Sequence, residues 1–129
     1  MKIIQIDVFA KHLPMVSGYN MSSSTVGDPD TTVVALRTDA KLTGWGEICP
    51  TGPLPQVEHA GSIRADLDLL GPALIGTDPL RIGLIHDVMA ATMDGGQGPG
   101  PQSISPVGIC LASTITNVSV TCWAGHVWI

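Results

Sequence analysis

Apolar and polar residues alternate at the amino terminus of the chain. Every second residue is apolar from Ile4 to Ala10, and Gln5 and Asp7 are among the residues between them. A period of two is typical of a strand that buries one face, so a first strand is predicted at about residues 2–11. Residues 13–30 lose this period and are rich in Gly, Pro, Asn and Ser, which predicts a long loop of the kind that often carries function.

Two runs of β-branched and aromatic residues follow the loop. They cover residues 31–38 and 42–49, and the short polar segment Asp39-Ala40-Lys41 separates them. Such a connection predicts a hairpin, so the second and third strands should pair antiparallel. A second loop is predicted at residues 50–55, where three of the six residues are proline.

The apolar spacing then changes to a helical period. Residues with this spacing are Val57, Ala60, Ile63, Leu67 and Leu70. Gly71-Pro72 predicts the end of this first helix. A second helix is predicted after Thr77-Asp78-Pro79, where Thr77 or Asp78 can cap the helix and Pro79 fits its first turn. Three strands followed by helices predict an α+β domain, with a three-stranded antiparallel sheet followed by a small helical bundle.

The carboxyl-terminal segment has a different composition. All six Lys and Arg and all eleven Asp and Glu residues lie at or before Asp94, whereas residues 99–129 carry none and are rich in Ser, Thr, Val, Ile and Gly. The Gly/Pro-rich join at residues 94–101 predicts a break in regular structure. A chain of 129 residues is too short for a TIM barrel, which usually needs about 250 residues. We therefore expect one domain, an atypical uncharged tail and no TIM barrel.

Charge and cysteine content exclude several classes of partner and site. The formal net charge is −5 and there is no cluster of Lys or Arg, so neither nucleic acid nor an anionic membrane is expected as a partner. Charged residues close to the amino terminus and the absence of a long apolar run predict a cytoplasmic protein. Cys49, Cys110 and Cys122 lack Cys-x-x-Cys spacing, and the four histidines lack ligand spacing, so no disulfide framework or metal site is predicted.

Two local phrases carry a resemblance to a known family. Gly44-Trp45-Gly46-Glu47 resembles the Gly-x-Gly-Glu strand signature of the enolase superfamily, and the stretch that ends in Leu74-Ile75-Gly76-Thr77-Asp78-Pro79 resembles the Leu-x-Gly-x-Asp-Pro phrase between its first helices. With three strands before the helices, this order resembles the amino-terminal capping domain of the muconate-lactonizing-enzyme and mandelate-racemase type. The sequence around Ser23-Ser24-Thr25 and Trp45-Gly46-Glu47 most resembles that of the members acting on hydroxyproline or proline betaine.

The resemblance implies a role in substrate recognition. Its parent enzymes are Mg²⁺-dependent racemases, epimerases and dehydratases that act alpha to the carboxylate of a small substrate. Their metal ligands and catalytic bases lie on barrel strands that this chain lacks, so no catalytic residue, metal ligand or cofactor of its own is assigned to it. By resemblance, loops 15–25 and 49–55 close over the barrel mouth. The substrate-binding residues that this implies are Tyr19, Ser22, Ser23, Ser24, Thr25, Pro50 and Leu54.

The resemblance stops where the barrel should begin. The family enters its barrel with a phrase similar to Ala-Lys-Ala-Ala-Ile-Asp-Ile-Ala-x-Trp-Asp-Leu, which residues 98–109 do not contain. The reading frame made from the third base of each codon and the first two of the next permits such a phrase from Gly98 to Leu111. We therefore predict a capping domain at residues 1–97 and a non-family, out-of-frame tail at residues 98–129, so that the chain is a truncated cap without catalysis by itself.

Two other readings of the chain stay open, and they leave its status as an enzyme undecided. Exposed Ser and His residues could make it a free-standing small hydrolase, although no Gly-x-Ser-x-Gly elbow is present. Alternatively, the surface that a barrel would cover and the uncharged tail could bury each other or a second copy, which would make the chain a homo-oligomeric assembly or binding module.

Overall fold

Seven strands and two helices make up the described fold. The computed structural model describes residues 1–14, 16–20, 25–26, 28–49, 59–93, 121–123 and 126–128. In chain order the elements are β1 (Ile3–His12), β2 (Tyr19–Asn20), β3 (Thr25–Val26), β4 (Asp30–Thr38), β5 (Thr43–Cys49), α1 (Ala60–Leu74), α2 (Ile82–Thr92), β6 (Thr121–Trp123) and β7 (His126–Trp128).

The three predicted strands form an antiparallel meander in which β4 lies between β1 and β5. Val34 in β4 lies opposite both Val8 in β1 and Gly46 in β5. The turn from β4 to β5 is closed by Thr38, which donates its backbone N–H to Leu42 O at 3.0 Å and accepts from Leu42 N at Oγ1 at 3.2 Å. The α+β class and the three-stranded antiparallel sheet are thus confirmed.

Two short strands of the tail extend this sheet. The strand order is β1-β4-β5-β6-β7, with β6 parallel to β5 and β7 antiparallel to β6. Ile48 pairs with Cys122, and Cys49 pairs with Trp123. No strand was predicted at residues 121–128, because a three-residue strand is too short to show a period of two.

The helices cover one face of the sheet and form the core with it. Leu36 and Ile48 on the sheet and Ile63, Leu67 and Ile85 on the helices are all at most 2% exposed. Burying a side chain of this size stabilises the fold by about 1.5–3 kcal/mol relative to leaving it in water. The predicted helical spacing of Ala60, Ile63, Leu67 and Leu70 is confirmed, because all four are buried, whereas Val57 lies outside the described residues. Of the helices in the described part of the chain, none has the length and apolarity needed to cross a membrane.

Helix α1 runs through the Gly71-Pro72 pair that was predicted to end it, so that prediction is wrong. Pro72 lies in the last turn, where its missing N–H removes one hydrogen bond, and the same turn places Leu74 in the core with no exposed surface. The helix ends instead at Leu74 with Ile75 as its C-cap, and Gly76 follows with φ +85°, the left-handed conformation common after a helix carboxyl end.

The start of α2 also differs from the prediction. Asp78 Oδ1 accepts a hydrogen bond from Leu80 N at 3.0 Å, and Asp78 O accepts from Arg81 N at 3.0 Å. These bonds form a turn, and the helix begins only at Ile82, with no side chain capping it. Thr77 serves the preceding helix, because its hydroxyl donates to Leu74 O at 2.7 Å. The predicted cap residues thus stabilise the connection between the helices.

Candidate functional site

The two predicted capping loops leave the sheet at the same end. Strand β1 ends at His12, which pairs with Asp30 at the start of β4, and β5 ends at Cys49, next to Ile48, which pairs with Thr32. The first loop therefore joins β1 to β4, and the second follows β5. We call this end of the sheet, formed by His12, Asp30, Thr31 and Cys49, the loop-bearing end.

The first loop contains a small β-ribbon that the sequence pattern does not predict. Tyr19 pairs with Val26, and Asn20 pairs with Thr25. Two of the predicted substrate-binding residues, Tyr19 and Thr25, are therefore held at the two sides of one ribbon. Two-residue strands are too short for their periodicity to be recognised in a loop rich in Ser and Gly.

The other predicted substrate-binding residues lie outside the described residues. They are Ser22, Ser23, Ser24, Pro50 and Leu54. Their assignment to the substrate, like that of Tyr19 and Thr25, stays a prediction. The structure describes the strands to which their loops are attached.

An ion pair anchors the loop-bearing end to helix α1. Arg64 donates to both carboxylate oxygens of Asp30, at 2.9 Å and 2.8 Å, and lies 3.4 Å from the hydroxyl of Thr32. The two side chains are 28% and 32% exposed, so water only partly screens the pair. The hydrogen bonds from Arg64 hold the pKa of the Asp30 carboxyl below its usual value. Asp30 therefore stays ionised and is a poor general acid.

A second and weaker pair lies where the first loop begins and ends. His12 Nδ1 and Asp28 Oδ2 are 3.8 Å apart, and their side chains are 67% and 61% exposed. A pair this exposed contributes little to stability. Its position nevertheless brings together the last residue of β1 and the residues that precede β4, so it helps to close the stem of the loop.

The second stem carries two groups whose burial opposes charge. Burial raises the pKa of the Glu47 carboxyl. The Cys49 thiol is buried, and burial raises its pKa, with the carboxylates of Glu47 and Asp30 adding to the rise and the hydroxyl of Thr31 acting against it. The thiol is thus kept protonated and is a poor nucleophile. The described residues of this stem are therefore suited to packing within the domain.

The hydrogen bond that begins helix α1 comes from an unexpected residue. His59 Nδ1 accepts from Ser62 N at 3.2 Å, and Ser62 Oγ accepts from His59 N at 3.1 Å. This is a capping box with His in the position usually taken by Ser, Thr, Asp or Asn. The cap was not predicted from the sequence for that reason. The pairing of Arg64 with Asp30 was not predicted because no local pattern joins residues this far apart.

Metal chemistry has no support in the described side chains. Among the residues of the described ranges, no three of the types His, Cys, Asp and Glu come together in a way that could hold a metal ion. The described side chains therefore do not form a Mg²⁺ site.

Known proteins match both the sequence and the fold. Residues 3–112 match the family model of the mandelate racemase/muconate lactonizing enzyme N-terminal domain. The cis-3-hydroxy-L-proline dehydratase of Roseibium aggregatum is 40% identical over 111 residues, which make up 84% of this chain and 29% of the dehydratase. The match to the family model continues past residue 97, and the predicted boundary at that residue stays a prediction.

Solved structures agree with this match. One protein of the mandelate racemase/muconate lactonizing enzyme group, from Roseovarius nubinhibens, has a TM-score of 0.80 at 34% identity, over 91% of this chain and 31% of its own. The dipeptide epimerase of Enterococcus faecalis, solved with Mg and the dipeptide L-Leu-L-Tyr, has a TM-score of 0.80 at 25% identity, over 91% of this chain and 32% of its own. The present chain thus spans about a third or less of the length of these relatives.

The family match covers most of the chain, and the meander with two helices on one face agrees with the resemblance in the strand and helix phrases. This chain belongs to the mandelate racemase/muconate lactonizing enzyme N-terminal domain family of the enolase superfamily.

Proposed function

We propose that this chain is a truncated capping domain whose two loops shape the substrate specificity of a Mg²⁺-dependent racemase, epimerase or dehydratase acting alpha to a carboxylate. The observation that supports this most directly is the common origin of the loops. Both are attached beside β4 at the loop-bearing end, so they can cover one substrate together. Loops placed in this way can exclude water and contact the parts of the substrate that do not react.

In this proposal the reaction itself takes place in the barrel of the parent enzyme. Mg²⁺ would stabilise the enediolate when bound there, and the catalytic base would also come from the barrel. The capping loops would contribute Tyr19, Ser22, Ser23, Ser24 and Thr25 from the first loop and Pro50 and Leu54 from the second. The chain alone would then bind no Mg²⁺ for catalysis and would turn over no substrate.

A cyclic amino acid is the substrate class that we propose for the parent enzyme. The sequences of the first loop and of β5 resemble those of members that act on hydroxyproline or proline betaine. A relative that is 40% identical to this chain is a cis-3-hydroxy-L-proline dehydratase. The same proposal places the protein in the cytoplasm and predicts no nucleic-acid or membrane partner, which agrees with its net charge of −5 and the lack of a basic cluster.

Proton exchange tests the absence of catalysis. The full chain would be incubated with Mg²⁺ in deuterated water with a panel of amino acids, hydroxy acids and cyclic imino acids. We expect no loss of the alpha-proton signal beyond that of the buffer control. Exchange that depends on the protein, and that survives repurification, would contradict the proposal.

A chimera tests the role of the loops. Residues 1–97 would replace the matching segment of the 40% identical dehydratase, and Tyr19→Phe, Ser23→Ala and Leu54→Ala would then be introduced singly. If these residues contact substrate, the variants should change KM or the preference among cyclic imino acids. Lys41→Ala, in the hairpin between β4 and β5, is the control and should change neither. Equal kinetics for all variants would count against these residue assignments.

The coding DNA around residues 95–101 tests the proposed domain boundary. A single-base change that restores the barrel phrase would support an out-of-frame tail at residues 98–129. Codons that do not permit the phrase would remove that proposal and leave the capping role of residues 1–97 unaffected.

A further inference from the structure

Helix α1 begins at a histidine that can act as a cap in only one of its two states. His59 Nδ1 accepts a hydrogen bond from Ser62 N at 3.2 Å. A neutral imidazole has one nitrogen that accepts and one that donates, whereas a protonated imidazole has two donors and no acceptor. The cap therefore requires a neutral His59 that carries its ring hydrogen on Nε2.

The place of His59 in the helix opposes its positive form for a second reason. The N–H groups of the first turn have no partner within the helix, and they give the amino-terminal end of a helix a partial positive charge. The first turn of α1 contains no acidic side chain that would offset a cation there. Protonation of His59 thus removes one hydrogen bond and adds a repulsion.

Gly61 leaves room for the imidazole ring. A Cβ at this position would lie 3.2 Å from both Cε1 and Nδ1 of His59, which is closer than an ordinary van der Waals contact. Glycine is less favourable than alanine inside a helix. The missing Cβ at Gly61 therefore matches the close approach of the ring that caps Ser62.

The elements packed against α1 do not supply a carboxylate to this ring. Asp30 of β4 and Asp7 of β1 are each paired with an arginine, and Asp87 of α2 is exposed. None of these three carboxylates lies within 4.0 Å of the nitrogens of His59. Glu58, which precedes His59, lies outside the described residues. In the described contacts, the imidazole is held by its bond to Ser62.

Other contacts hold the helix when this bond is lost. Ser62 Oγ accepts from His59 N at 3.1 Å and donates to His59 O at 2.8 Å, and neither bond involves the ring. Ile63 has no exposed surface, so the core fixes the helix from that residue onward. Loss of the cap should therefore loosen the first turn and leave the rest of α1 in place.

We propose that His59 is a pH-sensitive cap, whose neutral imidazole holds the first turn of α1 and whose protonation releases it. The contribution of the cap is complete above the range in which histidine titrates, about pH 6.5, and is lost as the pH falls through that range. The chain that follows β5 enters α1 through this turn. The inference goes beyond the proposed function and does not depend on it, since it concerns only the start of the helix.

Urea unfolding of the full chain at about pH 7.5 and about pH 5.5 tests the proposal. On acidification, the equilibrium constant of unfolding should rise about fivefold more in the original chain than in His59→Asn, because asparagine caps a helix at both pH values. His86→Asn removes an exposed histidine of α2 and should respond to pH as the original chain does. Equal rises for the original chain and His59→Asn would overturn the proposal.

Nuclear magnetic resonance tests the same site without a substitution. The ring protons of His59 follow its protonation, and hydrogen exchange of the Ser62 amide follows the cap. After correction for the intrinsic effect of pH, exchange at Ser62 should accelerate about fivefold on acidification, with the midpoint of the His59 titration. Exchange that does not change, or that changes with another midpoint, would exclude the proposed cap.

Alanine at position 61 tests whether the ring packs where the cap requires it. Gly61→Ala improves helix propensity, but its Cβ crowds the imidazole. The substitution should therefore lower the equilibrium constant of unfolding less in the original chain than in His59→Ala, where the ring is absent. Equal changes in the two backgrounds would contradict the seated ring on which the proposal depends.

Discussion

Arg64 on helix α1 donates hydrogen bonds to both carboxylate oxygens of Asp30, the first residue of β4, across 34 positions of sequence. This pair joins the helical layer to the end of the sheet from which both capping loops leave. A two-point contact resists rotation of either side chain, so it holds Arg64 and Asp30 together where α1 meets the stem of the first loop.

Removing this pair should destabilise the domain. We expect Arg64→Gln to lower the free energy of unfolding by about 1 kcal/mol, because the pair is two-point and only partly screened. Arg37→Gln breaks the more exposed pair with Asp7 and should cost less. Urea titrations of Arg64→Gln, Asp30→Asn and the double variant measure the coupling. Additive losses would show that the two residues do not interact energetically.

The same pair predicts a dependence of stability on pH. The folded-state pKa of Asp30 is lowered, so its contribution is complete above the unfolded pKa of about 4 and is lost as the pH falls through the lower folded value. Stability should therefore fall on acidification below about pH 4 less steeply in Arg64→Gln than in the original chain. Thermal unfolding across this range measures the slopes. Identical slopes would contradict the assignment of this pH dependence to Arg64.

Glu47 predicts the opposite trend. Burial raises its folded-state pKa, so the ionised carboxylate opposes folding at neutral pH, and this penalty is relieved as the pH falls through the raised value. Glu47→Gln should therefore be more stable than the original chain at neutral pH, and its advantage should shrink on acidification. Asp87→Asn, at an exposed position on α2, removes the same charge and is the control. An advantage that does not change with pH would contradict this explanation.

The histidine cap can be separated from a general effect of substitution. His59→Ala should cost about 1 kcal/mol, because Ser62 N loses its acceptor at the start of α1. His59→Asn supplies another acceptor and should retain most of the stability. The midpoints of chemical unfolding give both values. Equal losses would show that the imidazole acts through packing and not through the hydrogen bond.

Two glycines should respond in opposite directions to alanine. Gly76 has φ +85°, so Gly76→Ala should cost about 1 kcal/mol in the turn that also covers the edge at Ile3. Gly83 lies within α2, and a Cβ there would meet nothing within 4 Å. Gly83→Ala should therefore stabilise the chain by about 0.5–1 kcal/mol. Calorimetry measures the two shifts, and shifts of the same sign would contradict the conformational argument.

Sequence patterns predicted the elements that are long enough to repeat a period. Alternation identified β1, and helical spacing identified the buried faces of α1 and α2. The prediction failed at Pro72, because the burial of Leu74 in the core outweighs a single lost hydrogen bond. It also failed for β2, β3, β6 and β7, which have two or three residues each.

The sequence predicts where the candidate site lies better than it predicts the contacts within the site. The loop-bearing end follows from the order of strands and loops, since a meander returns the end of β1 and the end of β5 to the same side. The pairing of Asp30 with Arg64 does not follow, because it depends on how α1 crosses the sheet. The family motifs in β5 and at the end of α1 identified the fold. They carry no information about how α1 crosses the sheet.

Strand β4 gives this domain a capacity for change. The first loop enters β4 directly, and the second leaves the strand beside it, while Val34 and Leu36 of β4 belong to the buried core. Insertions between these strands would leave the side chains of the described core cluster unchanged. If the two loops contact substrate as proposed, a lineage built on this sheet could change its specificity through them and keep the strands and helices of the cap constant.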